Sequence, residues 1–297
     1  MKTWDTVAIV GVGLIGASIG LALRERKLAK EIVGIGRRES TLRVAKRRGA
    51  VTRTTTDIAA GVVNAEFIIV CTPVEVIAEQ VRMAALSCRE GARITDVGST
   101  KEEIVFSLDH AFAHHNPRRA AFVGSHPMAG SEKTGPQHAD PHLFDGCVTV
   151  VTPSVHTNAK ACRDVSLFWK SLGAKTMQLG AKEHDQAVAA ISHLPHLVAS
   201  VLAACAPQAA LPLAAGGWRD TTRVASGDPH LWRQILSQNR FHVLHALDKF
   251  CHELSDFRRA LTYNDRDKIE QLLSQGKLVR DDASKIRMSK SEIRNKS

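Results

Sequence analysis

The chain has 297 residues, 44% of them apolar, and a formal net charge of +10. That length suits one large domain or two modest ones with a sizeable core, and one Tyr with nine Phe against abundant Ala, Val, Ile and Leu argues against an aromatic-rich β sandwich. No apolar run reads as long enough to span a bilayer, no signal-peptide pattern opens the chain, and the basic excess lacks the interleaved aromatics that stack bases, so neither membrane nor nucleic acid is an expected partner.

The basic residues concentrate at Arg37 to Arg48, at Arg118-Arg119 and from Lys277 onward. Such a balance attracts small phosphorylated or carboxylated ligands. The six cysteines are scattered and form no CxxC pair. They read as reduced thiols of a cytoplasmic protein.

Residues 6–10 read as a short strand. Gly11-Val12-Gly13-Leu14-Ile15-Gly16 follows at once, and residues 17–26 have helical character. This is GxGxxG in its required setting of strand, turn and helix. Gly11 permits the tight turn, Gly13 lets the backbone approach a pyrophosphate, and Gly16 lets helix and strand pack closely. The phosphates then sit at the positive end of the helix dipole, at Leu14 and Ile15. The second strand, residues 31–35, ends at Gly36, where an NAD-preferring chain carries Asp or Glu for the ribose 2′-hydroxyl. Arg37 and Arg38 follow instead. Guanidinium groups pair with a 2′-phosphate, which favours NADP. Glu39 keeps NAD open, and plain surface arginines are the alternative.

Residues 41–48 predict a helix. Residues 67–70 predict a buried strand, with Cys71-Thr72-Pro73 at the carboxyl edge where open α/β sheets bind ligands. A helix over 74–86 leads to a strand over 93–97 and then to Ser99-Thr100-Lys101. Ser99 and Thr100 suit N-caps of the next helix. The apolar run 120–123 leads into Gly124-Ser125-His126-Pro127-Met128-Ala129-Gly130-Ser131-Glu132. This reads as a glycine-flanked loop presenting a histidine able to take a proton near neutrality, or as a turn with an incidental histidine. Strands over 147–152 and 175–178, with a helix over 157–172 between them, are expected to complete the sheet.

After Gly180 the strand signals stop. Residues 181–205 predict one helix carrying Ser192-His193-Leu194-Pro195-His196. The spacing puts His193 and His196 on one face, and Pro195 should kink the helix. No third ligand stands at metal spacing nearby, so no metal is expected. A core role for one of the histidines stays open. If 216–223 is helical, Asp220 can hold Arg223 toward a substrate carboxylate, or the two form an ordinary surface pair. Asp228-Pro229 starts a helix expected to run to about residue 262. Val243, Leu247, Phe250, Leu254, Phe257 and Leu261 repeat every 3.5 residues along it. Its length, ~50 Å, predicts packing on a second subunit or a long internal seam. Residues 265–288 look helical, and 289–297 frayed.

Taken together, these motifs resemble the prephenate/arogenate dehydrogenase family of tyrosine biosynthesis, up to about residue 275. The resemblance implies an α/β Rossmann-type N-terminal domain with a mostly parallel sheet (1–179) and an all-α C-terminal dimerisation domain (180–297) that forms a homodimer. It implies oxidative decarboxylation of prephenate, or alternatively arogenate, with hydride transfer to NADP or NAD. His126 is then the base at the C4 hydroxyl, bonded and oriented by Ser99. His196 and Arg223 hold the side-chain carboxylate, His193 contributes to the pocket, and Asp220 positions Arg223. Ser131 and Glu132 lie at the pocket mouth, Glu132 in an ionic gate, and Trp232 reaches the partner's active site. The length leaves no room for a fused chorismate mutase or ACT domain, so tyrosine control through an ACT domain is not expected. The rival readings are a β-hydroxyacid-type dehydrogenase, with Lys182 nearest that family's base, and a non-enzymatic NADP-binding regulator.

Overall fold

Short β-branched and aliphatic runs alternate with amphipathic helices through the first half of the chain, and most of those runs enter one sheet. The protein is seen here as a computed structural model describing residues 3–130 and 133–292. The elements in order are β1 (Trp4–Val10), α1 (Leu14–Glu25), β2 (Ala29–Ile35), α2 (Glu39–Arg47), β3 (Arg53–Thr55), α3 (Ile58–Val62), β4 (Phe67–Val70), α4 (Val74–Ser87), β5 (Arg93–Asp96), α5 (Glu102–His114) and β6 (Ala121–Phe122). The six strands pair in parallel in the order β3-β2-β1-β4-β5-β6. Side chains alternate across the sheet into two apolar layers. Val7, Ile9, Phe67 and Ile69 join one layer, and Ala8, Val10, Ile68 and Val70 the other.

The next strands build a second sheet rather than extending the first. β7 (Gly124–Pro127) pairs antiparallel with β8 (Val148–Thr152), which pairs parallel with β9 (Lys175–Gln178) after α6 (Ala159–Ser171). His126 therefore lies on a strand, not in the expected loop. Ser125 explains why this polar segment stays inside. Its hydroxyl donates to the Asp96 carbonyl at 2.6 Å and accepts from the Trp169 indole at 2.9 Å. Strand β3 had no signal in the sequence because it is a three-residue edge strand, Arg53-Thr54-Thr55.

The helical part opens with α7 (Ala181–Val188), a π turn (Ala189–His193) and α8 (Leu194–Ala204). The kink expected at Pro195 appears as this π turn just before it. Proline removes one N–H and crowds the carbonyl four residues back, and a widened turn absorbs both effects. Contrary to expectation, Ala181–Ala204 is long and apolar enough to cross a membrane by length and composition alone. Its buried face, however, carries His184, Asp185, His193 and His196.

Two 3-10 turns, Gln208–Leu213 and Arg223–Ser226, flank α9 (Gly216–Thr222), and then come α10 (Pro229–Gln238), α11 (Arg240–Thr262) and α12 (Arg266–Glu292). The single helix expected from 229 to 262 is broken at Asn239, with φ −98° and ψ 22°. The Asn239 amide is drawn aside to donate to the Asp185 carbonyl at 2.8 Å and to His193 Nδ1 at 3.0 Å. The remaining helix, α11, is about 35 Å long.

Packing divides the chain into two units, Met1–Val243 and Leu244–Ser297. The first contains both sheets and all the site residues. In the second, α11 turns into α12 through Asn264, a non-glycine residue at φ +50°. Leu254, Leu261, Tyr263, Leu273, Leu278 and Val279 stand exposed along these helices.

Candidate active site

The strand order reverses between β1 and β4, the place where open α/β sheets bind ligands at the carboxyl ends of their strands. Gly11 sits at φ +95°, and a Cβ on it would lie 2.6 Å from the Cys71 carbonyl oxygen. A Cβ on Gly16 would lie 2.0 Å from the Gly11 carbonyl oxygen. A Cβ on Gly13, by contrast, would meet nothing within 4 Å. Helix α1 has no side-chain cap. The first-turn N–H groups at Leu14 and Ile15 thus have no side-chain partner beside open space, which fits a pyrophosphate. Cys71 and Thr72 are half-buried and Pro73 exposed at the end of β4. The Thr72 hydroxyl donates to Gln80 Oε1 at 2.7 Å. Arg37 and Arg38 are exposed beyond β2, while Glu39 opens α2 and pairs with Arg43 at 3.3 Å.

His126 stands half-buried on β7, opposite Val150. Its Nδ1 lies 2.9 Å from His184 Nε2, and His184 Nδ1 lies 2.7 Å from Asp185 Oδ1. Asp185 also caps α5, accepting from the Lys101 N–H at 2.7 Å and the Glu102 N–H at 2.9 Å. Lys101 pairs through Nζ with Asp96, both side chains wholly buried. Asp96 further accepts from the Gly98 N–H at 2.8 Å and the Ser125 N–H at 3.1 Å. Burial, with His184, Lys101 and His193 nearby, holds His126 well below the usual histidine range. The ring is therefore neutral at neutral pH.

Burial also pulls His193 from 6.5 down to about 4. Asn239 reinforces this, because its amide can only donate to His193 Nδ1. The effect on stability has a definite sign. Above about pH 6.5 neither folded nor unfolded chain protonates this ring. Between there and the folded value the unfolded chain takes a proton that the folded chain refuses, and stability falls by ~3 kcal/mol in all. His193→Gln should flatten the loss between pH 7 and pH 5 in urea unfolding. An unchanged slope would remove His193 from that role.

His196, 6% exposed, stacks face to face on Trp232 with ring centroids 3.5 Å apart. Its Nδ1 has no hydrogen-bond partner among the described residues; burial lowers this ring as well. His193 meets the same indole edge-on at 6.1 Å. Gly227 makes room for the stack, since a Cβ there would lie 2.5 Å from Trp232 Nε1. Arg223 begins the exposed turn that packs on α8.

Two expected contacts differ. Among the described residues no hydrogen bond joins Ser99 to His126, whose Nδ1 is taken by His184. Asp220 and Arg223 are both exposed, with no ion pair between them. Trp232 packs on His196 of its own chain. Ser131 and Glu132 lie outside the described residues. Lys182 is exposed. Among the described residues no group of three or more His, Cys, Asp or Glu could hold a metal. His184, Asp185 and Asn239 carried no mark in the sequence beyond an adjacent His-Asp pair inside an apolar helix.

Residues 19–178 match the family model of the prephenate dehydrogenase nucleotide-binding domain, and residues 180–275 that of its dimerization domain. The chain belongs to the prephenate dehydrogenase family. It is 35% identical over 286 residues to the prephenate dehydrogenase of Bacillus subtilis (strain 168), covering 93% of this chain and 75% of that protein. It is similar in structure to A. aeolicus prephenate dehydrogenase in complex with hydroxyphenyl propionate and NAD+, with a TM-score of 0.86, 27% identity, and 95% and 99% of the two chains covered. It is also similar to Synechocystis arogenate dehydrogenase, with a TM-score of 0.79, 30% identity, and 94% and 99% covered. As a member of the prephenate dehydrogenase family, the chain is an NAD(P)-dependent oxidoreductase that takes a nicotinamide cofactor.

Proposed function

We propose that this chain is a prephenate dehydrogenase, converting prephenate to 4-hydroxyphenylpyruvate and CO₂ in tyrosine biosynthesis. The observation that carries this reading is a neutral, half-buried His126 fixed on a strand of a protein that also carries the glycine turn of a dinucleotide site. A hydride departs C4 more readily as the C4 hydroxyl loses its proton, and a neutral imidazole is the group to take it. We assign that proton to His126. The bound nicotinamide supplies the hydride acceptor. Loss of the ring carboxylate leaves an aromatic ring, which makes the step effectively irreversible.

The unpartnered Nδ1 of His196 and the exposed guanidinium of Arg223 support their assignment to the substrate's side-chain carboxylate. Trp232 holds His196 in place by stacking. We divide the chain by role into residues 1–179 for the cofactor and residues 180–297 for substrate and a homodimer. The apolar side chains exposed on α11 and α12 support the dimer.

We favour NADP, because Arg37 and Arg38 are exposed beyond β2 and Glu39 is engaged by Arg43. Replacing both arginines by alanine should raise KM for NADP ~10- to 100-fold, the worth of a lost charge-assisted contact. KM for NAD should change less than about twofold. Equal losses with both cofactors would remove the 2′-phosphate from the account.

Initial rates of cofactor reduction decide the function: prephenate or arogenate, each with NAD or NADP. Turnover of prephenate is the expected result. Turnover of arogenate alone would move the assignment to an arogenate dehydrogenase. No turnover in any combination, by folded protein that binds NADP, would refute the family reaction for this chain.

A further inference from the structure

We propose that His184 and Asp185 act with His126 as a two-imidazole proton relay, in which His126 takes the hydroxyl proton at Nε2 while its Nδ1 proton passes to His184. The inference rests on the function proposed above. It assigns two positioning residues to that reaction and names the nitrogen that does the work.

The donor and acceptor inventory fixes the arrangement. Asp185 accepts from two backbone N–H groups at the start of α5, so it stands as a carboxylate with no proton to give. His184 Nδ1, 2.7 Å from Oδ1, must then carry its proton. In a neutral ring that leaves His184 Nε2 bare. His126 Nδ1, 2.9 Å away, must donate to it. His126 Nε2 is then the lone pair, free to receive a proton from substrate. The tautomer is chosen from behind, by a carboxylate two links away.

The same surroundings say where the charge goes. His126 is faced by Lys101 from the turn before α5, by His184 from α7 and by His193 from the π turn, and all of these disfavour a cation on it. Lys101 is neutralised by Asp96 from β5. His184 is faced by His193 and, on its own helix, by Asp185. A positive charge is thus better placed one ring further in, against the carboxylate. On turnover the substrate O–H bond breaks as His126 Nε2–H forms. His126 Nδ1–H breaks as His184 Nε2–H forms. The electron pair of the C4–H bond leaves as hydride, the pair of the bond to the departing CO₂ completes the aromatic ring, and the relay runs back to return the proton to the product's phenolate oxygen. A base held well below its usual range can serve in this way, because it hands the charge on.

His184→Gln tests the relay, since its amide oxygen can still accept from His126 Nδ1 but cannot take the proton. We expect kcat to fall ~10- to 100-fold, with KM for substrate and cofactor within about threefold. The acid limb of the kcat profile should move to lower pH, because the charge is now confined to His126. A merely structural role for His184 would leave that limb in place, and an unmoved limb overturns the relay. The second measurement uses the unaltered protein, labelled with ¹⁵N-histidine, and needs neither a variant nor a substrate. The His126 ring should be protonated at Nδ1 and bare at Nε2 in nitrogen NMR. The reverse tautomer overturns the relay even if His184→Gln fails to fold. Wild-type turnover of prephenate is the control. Its absence would refute the proposed function, while the tautomer would still judge the hydrogen-bond chain.

Discussion

Replacing His126 by Asn should lower kcat by about 10²–10⁴, with cofactor affinity unchanged. The substitution is chosen for what it keeps. An Asn amide can still donate to His184 Nε2 in place of Nδ1–H. The antiparallel ladder of β7 is backbone and does not depend on the ring. What disappears is the second ring nitrogen, so the loss should fall on kcat and leave KM within about threefold. Turnover within threefold of wild type at saturating substrate would take His126 out of the chemistry.

Replacing Lys101 by Met should cost about 3–5 kcal/mol of stability. Lys101 and Asp96 form an ion pair with neither side chain exposed. Methionine keeps much of the apolar stem and removes the ammonium, leaving a buried carboxylate whose remaining partners are the N–H groups of Gly98 and Ser125. Removing one partner of a buried pair is costly because the other charge stays behind, whereas removing both is far cheaper. Asp96→Asn in the Lys101→Met background should therefore recover most of the loss. Denaturant unfolding of the two single variants and the double variant measures this. A loss under about 1 kcal/mol for Lys101→Met would mean that Asp96 is carried by its amides alone.

What could be read from the sequence was local. Gly11, Gly13 and Gly16 announce a phosphate turn because the constraint acts within six residues, and β1, β2 and β4 announce themselves by apolar runs at 7–10, 32–35 and 67–70. His126 was legible as a residue but not as a position. Gly124 and Pro127 suggest a loop, whereas the strand is made by pairing with β8, some 25 residues on. Asp185 was illegible because its meaning lies in the amides of Lys101 and Glu102, more than 80 residues earlier. The break at Asn239 was illegible for the same reason. Asparagine is a mild helix former at worst, and only its bonds to Asp185 and His193 pull it out of line. The Asp220–Arg223 pair shows the converse. Helical spacing permits a contact that the folded chain does not make.

A base carried on a strand cannot swing. The backbone of His126 is laddered to Val150, and Ser125 beside it is bolted to Asp96 and Trp169. Segments tied in this way part only when a large piece of the fold opens, which is rare and slow on the scale of a catalytic cycle. His126 is then the fixed point of the cycle. Any movement that admits a substrate and releases a product has to come from segments other than β7.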